Sequence, residues 1–178
     1  MYLINRCAIS RKELKESDDV VGFPFFDAKP GEPEFICCED IALRSEFERW
    51  SLRDSVIKKV RDFWIQTPHI YGYLLILAEN ENFLITKSTI EKRVWLFFLN
   101  HVFRVDFTWD TWEQFPDLIQ TAEQGGITAI GEDSFHWKTD ATQENMILQT
   151  RIQDGRKDTI SISMAEWQNL QELLSTRR

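Results

Sequence analysis

The chain has 178 residues, 43% of them hydrophobic and 13% aromatic, and it carries a net charge of −8. This composition excludes a disordered chain and favours a packed core in one sizeable domain or two small ones. The negative charge disfavours nucleic acid as a partner unless the fold presents a basic face, and it favours a basic protein partner. The odd number of cysteines, three, argues against a disulfide framework.

The compartment is predicted from what the first residues and the apolar runs look like. The N-terminus lacks the basic region and apolar run of a secretory signal peptide. The longest apolar runs, YGYLLILA and VWLFFL, are too short to cross a bilayer. We therefore expect a cytoplasmic protein with no membrane partner.

The N-terminal third is predicted to contain a strand and two helices. VVGFPFF indicates a strand that ends in the loop DAKPGEPE. DIALRSEFERW, at 40–50, places apolar residues at helical spacing and predicts the first helix. Ser51 and Asp54 form an S-x-x-D pattern that predicts the N-cap of the second helix, which we expect to end at Pro68.

From Tyr71 onward the sequence is dense in β-branched and aromatic residues, which favour strands. The predicted strands are IYGYLLILA, FLITK, RVWLFFLN and VFRVDF. The next segment, TWDTWEQFPDLIQTA, is predicted to be a helix with Thr108 as its N-cap. Pro116 is the weak point of this helix, because proline removes a backbone donor.

Two segments of the body align with one another. FTWDTWEQFPDLI, at 107–119, matches ISMAEWQNLQELL, at 162–174, without gaps, so that Trp112 corresponds to Trp167. A predicted hairpin precedes each segment, and Ser163 with Glu166 forms a capping box. We interpret this as an internal duplication of a strand–hairpin–helix unit, at about 80–123 and 132–178, whose copies share one antiparallel sheet. The alternative is convergence, because helix caps and amphipathic faces resemble one another in unrelated segments.

The opening stretch, RCAISRKELKESDDVVGFPFF followed by FICCEDIALRSEFERW, resembles small bacterial zinc-ribbon or treble-clef modules over about Arg6–Asp54. The resemblance implies a Cys-x-x-Cys pair and a His-x-x-Cys pair as zinc ligands. In this sequence the four places fall on Cys7, Ser10, Leu43 and Glu46. Leucine cannot coordinate a metal and serine is a poor ligand, whereas structural zinc takes four nitrogen or sulfur donors.

Cys37 and Cys38 are the other sulfur donors in the N-terminal stretch. Adjacent residues chelate one tetrahedral ion awkwardly, and a fourth donor is missing. We therefore expect a degenerate, metal-free zinc-finger-like head, with no cofactor. The alternative is a residual site that uses these cysteines.

The predicted fold class is α+β. We expect the zinc-finger-like head with its helices at 1–68, and a mainly antiparallel, duplicated β-rich body at 69–178.

A second resemblance lies at the C-terminus. MILQTRIQDGRKDTISISMAEWQNLQELL is similar to the strand–turn–strand–helix end of transcriptional-coactivator-like single-stranded DNA-binding modules. The resemblance implies a nucleic-acid strand held by basic residues and aromatic platforms on a curved sheet. Arg151, Arg156 and Lys157 are the basic residues at the hairpin. Because the net charge of −8 opposes this function, single-stranded nucleic-acid binding is the alternative rather than the first prediction.

No catalytic residues are predicted. His69, His101 and His136 lack a partner at metal-ligand spacing, and the sequence contains no nucleophile elbow and no phosphate-binding glycine loop.

We expect a non-catalytic protein-interaction protein. An immunity protein that neutralises a basic toxin is the class that fits a composition both acidic and rich in aromatic residues. The predicted partner-binding residues are Glu123, Glu132, Asp133, Trp137, Asp140 and Glu144. The oligomeric state is left open.

Overall fold

The computed structural model describes residues 6–121, 128–130, 135–151 and 155–175. These residues form four α-helices and three antiparallel sheets, so the predicted α+β class is confirmed. None of the described helices combines the length and the apolar character that crossing a bilayer requires.

The head begins with a small two-stranded sheet. Strand β1 (Val20–Gly22) pairs antiparallel with β2 (Ile41–Leu43), and a 3-10 helix, Pro33–Cys37, lies between them in the chain. A one-turn helix, α1 (Arg44–Phe47), follows β2, and the long helix α2 (Arg53–Ile70) completes the head. Of the predicted strand VVGFPFF, only its first three residues are in a strand.

The predicted helix at 40–50 is wrong over its first half. Ala42 pairs with Val21, so the backbone of β2 is extended and its hydrogen bonds go to β1. The apolar residues at 41–43 are therefore compatible with a strand as well as with a helix. Pairing with β1 determines that they form a strand.

Both predicted ends of α2 are also wrong. Leu52, and not Ser51, is the N-cap, and its side chain makes no capping hydrogen bond. The helix passes Pro68 and ends at Ile70. Proline is tolerated there because, so near the helix end, it removes only one of the last intrahelical hydrogen bonds.

The body consists of two four-stranded meanders, each followed by a helix. The first meander contains β3 (Leu74–Glu79), β4 (Phe83–Ser88), β5 (Arg93–Phe98) and β6 (Phe103–Thr108), and α3 (Trp109–Thr121) follows it. The second contains β7 (Thr128–Ile130), β8 (Phe135–Thr139), β9 (Asn145–Arg151) and β10 (Lys157–Ser163), and α4 (Met164–Ser175) follows it. The predicted single shared sheet is therefore wrong, because each copy has its own sheet in sequential strand order.

The caps of the two body helices are as predicted. Thr108 Oγ1 accepts a hydrogen bond from the N–H of Thr111, 3.3 Å away, and α3 continues through Pro116. In the capping box of α4, Glu166 N–H donates to Ser163 Oγ at 3.2 Å, and Ser163 N–H donates to Glu166 Oε2 at 3.1 Å.

When Trp112 is aligned with Trp167, buried residues of the first half of the body correspond to buried residues of the second half. The matched buried residues are Phe103 with Asp158, Val105 with Ile160, Phe107 with Ile162, Trp112 with Trp167, Phe115 with Leu170 and Ile119 with Leu174. Each unit is four strands and a helix, one strand longer at its N-terminal end than the predicted unit. The duplication itself stays a hypothesis, which this repeated order supports.

The body core lies between the two sheets and their helices. Aromatic rings connect its parts: Phe115 on α3 meets Trp137 on β8 edge to face at 5.9 Å, and Trp137 lies 6.4 Å from Trp167 on α4. A second core fills the head, and the first sheet separates the two. Phe83 and Ile85 belong to the body core, whereas Leu84 between them belongs to the head core.

A buried ion pair joins the head to both halves of the body. The Arg44 guanidinium contacts the Asp158 carboxylate on β10, and its Nη1 donates to the His101 carbonyl, 3.2 Å away in the β5–β6 turn. The next residue in that turn, Val102, has a φ of 47°, which β-branched residues rarely adopt, and it is buried in the head core. The three parts of the molecule therefore meet at one side chain.

We predict that Trp112 and Trp167 contribute to stability by similar amounts. Because each is buried in the body core, changing either one to Ala is expected to lower the free energy of unfolding by about 3–5 kcal/mol. Chemical denaturation measures this. Glu113→Ala and Gln168→Ala, exposed neighbours on the same helices, are the controls and should change it by less than about 0.5 kcal/mol. A small effect at only one tryptophan would contradict the structural equivalence of the two units.

We also predict that Asp158 makes stability depend on pH. Burial opposes its charged form more strongly than Arg44 favours it, and raises the pKa of Asp158 to about 7, with Asp19 and Glu48 adding to the shift. In the unfolded chain an Asp titrates near pH 3.9. The folded state therefore holds this proton more tightly, and the contribution of Asp158 to stability falls as the pH rises from about 4 to about 7.

The variant Asp158→Asn cannot titrate and serves as the reference. We expect the free energy of unfolding of the wild type to fall relative to this variant by roughly 4 kcal/mol at most over that range, and the difference to stay constant above it. Denaturation series at several pH values measure the difference. A wild type that gains stability relative to the variant as the pH rises would show that the ion pair, and not burial, determines the pKa.

Candidate functional site

Of the four predicted zinc-ligand places, Cys7 provides a sulfur, and the backbones of Ser10 and Leu43 contact it. Cys7 is buried, and its Sγ accepts hydrogen bonds from the N–H groups of Ser10 at 3.5 Å and Leu43 at 3.4 Å. Burial opposes ionisation of this thiol, but hydrogen bonding by Ser10 and Leu43 outweighs burial and lowers the pKa of Cys7. At the fourth place, the Glu46 carboxylate forms an ion pair with Lys12 instead.

The other two cysteines do not complete a metal site around Cys7. Burial, with the charges of Asp40 and Cys7, raises the pKa of Cys37 to about 12, which disfavours the thiolate that metals bind. Cys38 Sγ lies 3.6 Å from the carbonyl of Phe26. In the described part of the chain, no three Cys, His, Asp or Glu side chains converge as metal ligands would.

The predicted partner-binding residues do not form one surface. Trp137 is fully buried in the body core, where its Nε1 finds no acceptor among the described residues. It cannot contact a partner, so this prediction is wrong. It was based on the acidic segment around Trp137, whereas the alternation of β8 turns the ring inward. Glu123, Glu132 and Asp133 lie outside the described residues.

Asp140 has an internal role in the β8–β9 turn. Its carboxylate accepts hydrogen bonds from the Asn145 side chain at 2.9 Å, the Thr142 hydroxyl at 2.9 Å and the N–H of Glu144 at 3.1 Å. The Asn145 hydrogen bond in particular lowers the pKa of Asp140. Reversing this charge would therefore disturb the turn itself, while Glu144 stays exposed.

The three residues of the nucleic-acid alternative are also divided. Arg151 and Lys157 are exposed and directly opposite one another on β9 and β10. Arg156 is buried, so it cannot share that surface.

The edges of the two body sheets differ in how they are protected. Edge strands carry unpaired N–H and C=O groups, which proteins cover, shorten or charge to prevent unwanted pairing. β10 lies beside β1 of the head, to which Asp19 and Lys157 bridge it. Three residues of β7 are described, and β6 carries the ion pair between Arg104 and Asp106, 2.7 Å apart.

β3 is apolar and uncovered by any described strand, in contrast to β6 and β10. It pairs with β4 on one side, and no described strand pairs with its other side. Leu75 is 49% exposed and Leu77 36% exposed, and a bulge between Ile76 and Ala78 is the one irregularity. Further exposed apolar side chains extend this surface at the N-terminal end of β3: Ile70, Tyr71 and Ile90. We call these two leucines and the three flanking residues the β3 edge.

Acidic side chains flank the β3 edge at its other end. Glu79 is the last residue of β3, Glu81 follows in the turn, and both are exposed. The surface therefore combines an apolar centre with a negative end, an arrangement that suits a partially apolar, basic partner.

No feature of the sequence distinguished this edge in advance. LLIL is a continuous apolar run, which is typical of a strand buried on both faces. Only the strand order places β3 at the end of its sheet.

Comparisons with protein-family models, with curated proteins and with solved structures each found no match to this chain. The two resemblances described above thus stay predictions.

We predict that the purified protein carries far less than one zinc ion per chain and that a chelator leaves its melting temperature unchanged. The reason is that Ser10, Leu43 and Glu46 occupy the places of three ligands and Cys7 already accepts two backbone hydrogen bonds. Elemental analysis and thermal denaturation measure the two quantities. As a control, Cys7→Ser should leave the zinc content unchanged. Zinc near one equivalent, lost in this variant, would contradict the prediction.

Proposed function

We propose that the protein is a non-catalytic, cytoplasmic interaction protein that binds an extended segment of a basic partner protein along β3. The observation that supports this proposal is the β3 edge itself. No described strand pairs with the outer side of β3, where alternate residues direct their N–H and C=O groups outward. Its exposed side chains include two leucines, whereas β10 is covered by the head and β6 carries an ion pair. A strand added to such an edge gains main-chain hydrogen bonds, while side-chain pockets provide specificity.

The class that this proposal favours is the immunity protein, which neutralises a toxin by covering its surface. Inhibition of this kind needs area and charge complementarity rather than a catalytic group. The net charge of −8 and the carboxylates of Glu79 and Glu81 at the end of β3 favour a basic toxin. Electrostatic attraction of this kind mainly accelerates association and weakens with added salt.

The proposal is tested by co-expression with any toxin that a neighbouring gene encodes. We expect the wild type to rescue growth and the double variant Leu75→Lys, Leu77→Lys to fail, because lysines on an edge strand oppose pairing. The matched control is Glu113→Lys, which changes the net charge by the same two units on the exposed face of α3, away from β3. It should rescue growth as the wild type does.

Three results would contradict the proposal at different points. Rescue by the double lysine variant would exclude the β3 edge as the binding surface. Failure of the wild type to rescue growth would exclude the immunity function. A wild type that is dimeric by light scattering, with a monomeric double variant, would show that a second copy of the chain occupies the edge.

A further inference from the structure

The outer face of the second sheet has a composition unlike that of the whole chain. Side chains on β8, β9 and β10 alternate between the body core and the outside. Apart from Asn145 and Ser163 beside the β8–β9 turn, the outward residues, which we call the outer face, are His136, Lys138, Ile147, Gln149, Arg151, Lys157, Thr159 and Ser161. Strand pairing places Arg151 opposite Lys157 and His136 opposite Gln149.

The outer face is basic within an acidic protein. It carries three cations, and no carboxylate stands among these eight positions, although the chain has a net charge of −8. Within the described residues Lys138 and Lys157 form no ion pair, and the Arg151 guanidinium donates to the carbonyl of Gly155 at 2.9 Å. The acidic neighbours are Asp19 of the head, whose carboxylate accepts hydrogen bonds from Thr159 and attracts Lys157, and Asp140, two residues after Lys138. Lys138 and Arg151 are exposed and keep their positive charge available to a ligand, while Lys157 is exposed beside Asp19.

The cations are spread along a shallow concavity. Its volume is about 290 Å³, and Lys138, Gln149, Arg151 and Lys157 are among the residues that line it. Lys138 lies opposite Ile147, which is four residues before Arg151 on β9, so the positive charge extends over roughly 14 Å of strand. A single phosphate or carboxylate cannot contact charges so far apart, whereas consecutive phosphates of a polyanion can.

We propose that the outer face binds single-stranded nucleic acid through its phosphate backbone. Among its described side chains there is no Phe, Tyr or Trp, because Phe135 and Trp137 point into the core, and the one aromatic ring is the imidazole of His136. Base stacking is therefore confined to His136, and binding through the phosphates depends little on base sequence. The amide of Gln149 and the hydroxyl of Ser161 add neutral donors to the phosphate oxygens, whereas the Thr159 hydroxyl is already hydrogen-bonded to the Asp19 carboxylate. The proposal uses no residue of the β3 edge and does not depend on the proposed function.

The test is the affinity for a fluorescent oligothymidylate of about twenty nucleotides, measured by anisotropy as a function of salt. Three phosphate contacts predict that log K falls with log[salt] with a slope of about −2. The triple variant Lys138→Gln, Arg151→Gln, Lys157→Gln should bind at least about tenfold more weakly at low salt, with a slope near zero.

A second triple variant controls for net charge. Lys15→Gln, Lys29→Gln, Lys58→Gln removes the same three charges from exposed positions on the head and α2. It should bind the oligonucleotide as the wild type does, within about twofold. Equal weakening in both variants would overturn the proposal, and so would the absence of binding at low salt. Equally tight binding of polyglutamate would overturn it in favour of an acidic polypeptide.

Protection from lysine acetylation tests the same face in the wild-type protein, without any variant. The oligonucleotide should slow acetylation of Lys138 and Lys157 and leave Lys15, Lys29 and Lys58 unchanged, as read by mass spectrometry. Uniform protection, or none, would contradict binding at the outer face.

Discussion

The arrangement of this molecule depends on the buried contact between Arg44 and Asp158. A guanidinium from the head meets a carboxylate from the last strand and a carbonyl from the first sheet, and the backbone N–H of Arg44 donates to the Asp19 carbonyl at 3.0 Å. Taking both charges out of water costs free energy, and removing one partner alone leaves the other uncompensated. A contact of this kind contributes orientation more than net stability: it holds β1 beside β10 and so covers one sheet edge, while β3 stays open.

Most of the body, though little of the head, could be predicted from the sequence. Strands dense in β-branched and aromatic residues, and helices whose caps are local patterns, are determined by near neighbours, as at Thr108 and Ser163. The segment at 40–50 is different, because Ala42 is extended only where Val21 pairs with it. Long-range pairing of that kind leaves no periodic signal. The division of the body into two sheets could not be predicted for the same reason. A sequence repeat indicates that two units have the same elements, but it does not indicate which strands pair with one another.

The predictions of functional residues were limited by the same absence of long-range information. The acidic residues around Trp137 in the sequence suggest a surface position, but the pleat directs its ring inward and Lys138 outward. The outer face of the second sheet could have been anticipated from that alternation alone, applied to β8, β9 and β10 together. The β3 edge could not, since its exposure follows from strand order and from what covers the other edges.

The first sheet is packed on both faces, and this has a consequence for any attempt to divide the protein. The head core takes Leu84, Phe97 and Val102 from the body, while Phe83 and Ile85 face the other way. If the chain were cut between α2 and β3, each fragment would have an incomplete hydrophobic core and would expose an apolar surface to solvent. Such fragments would recombine with one another, or aggregate, rather than persist as separate soluble pieces. The predicted division at residue 68 falls in the last turn of α2, just before the connection to β3, and a shared interior spans it.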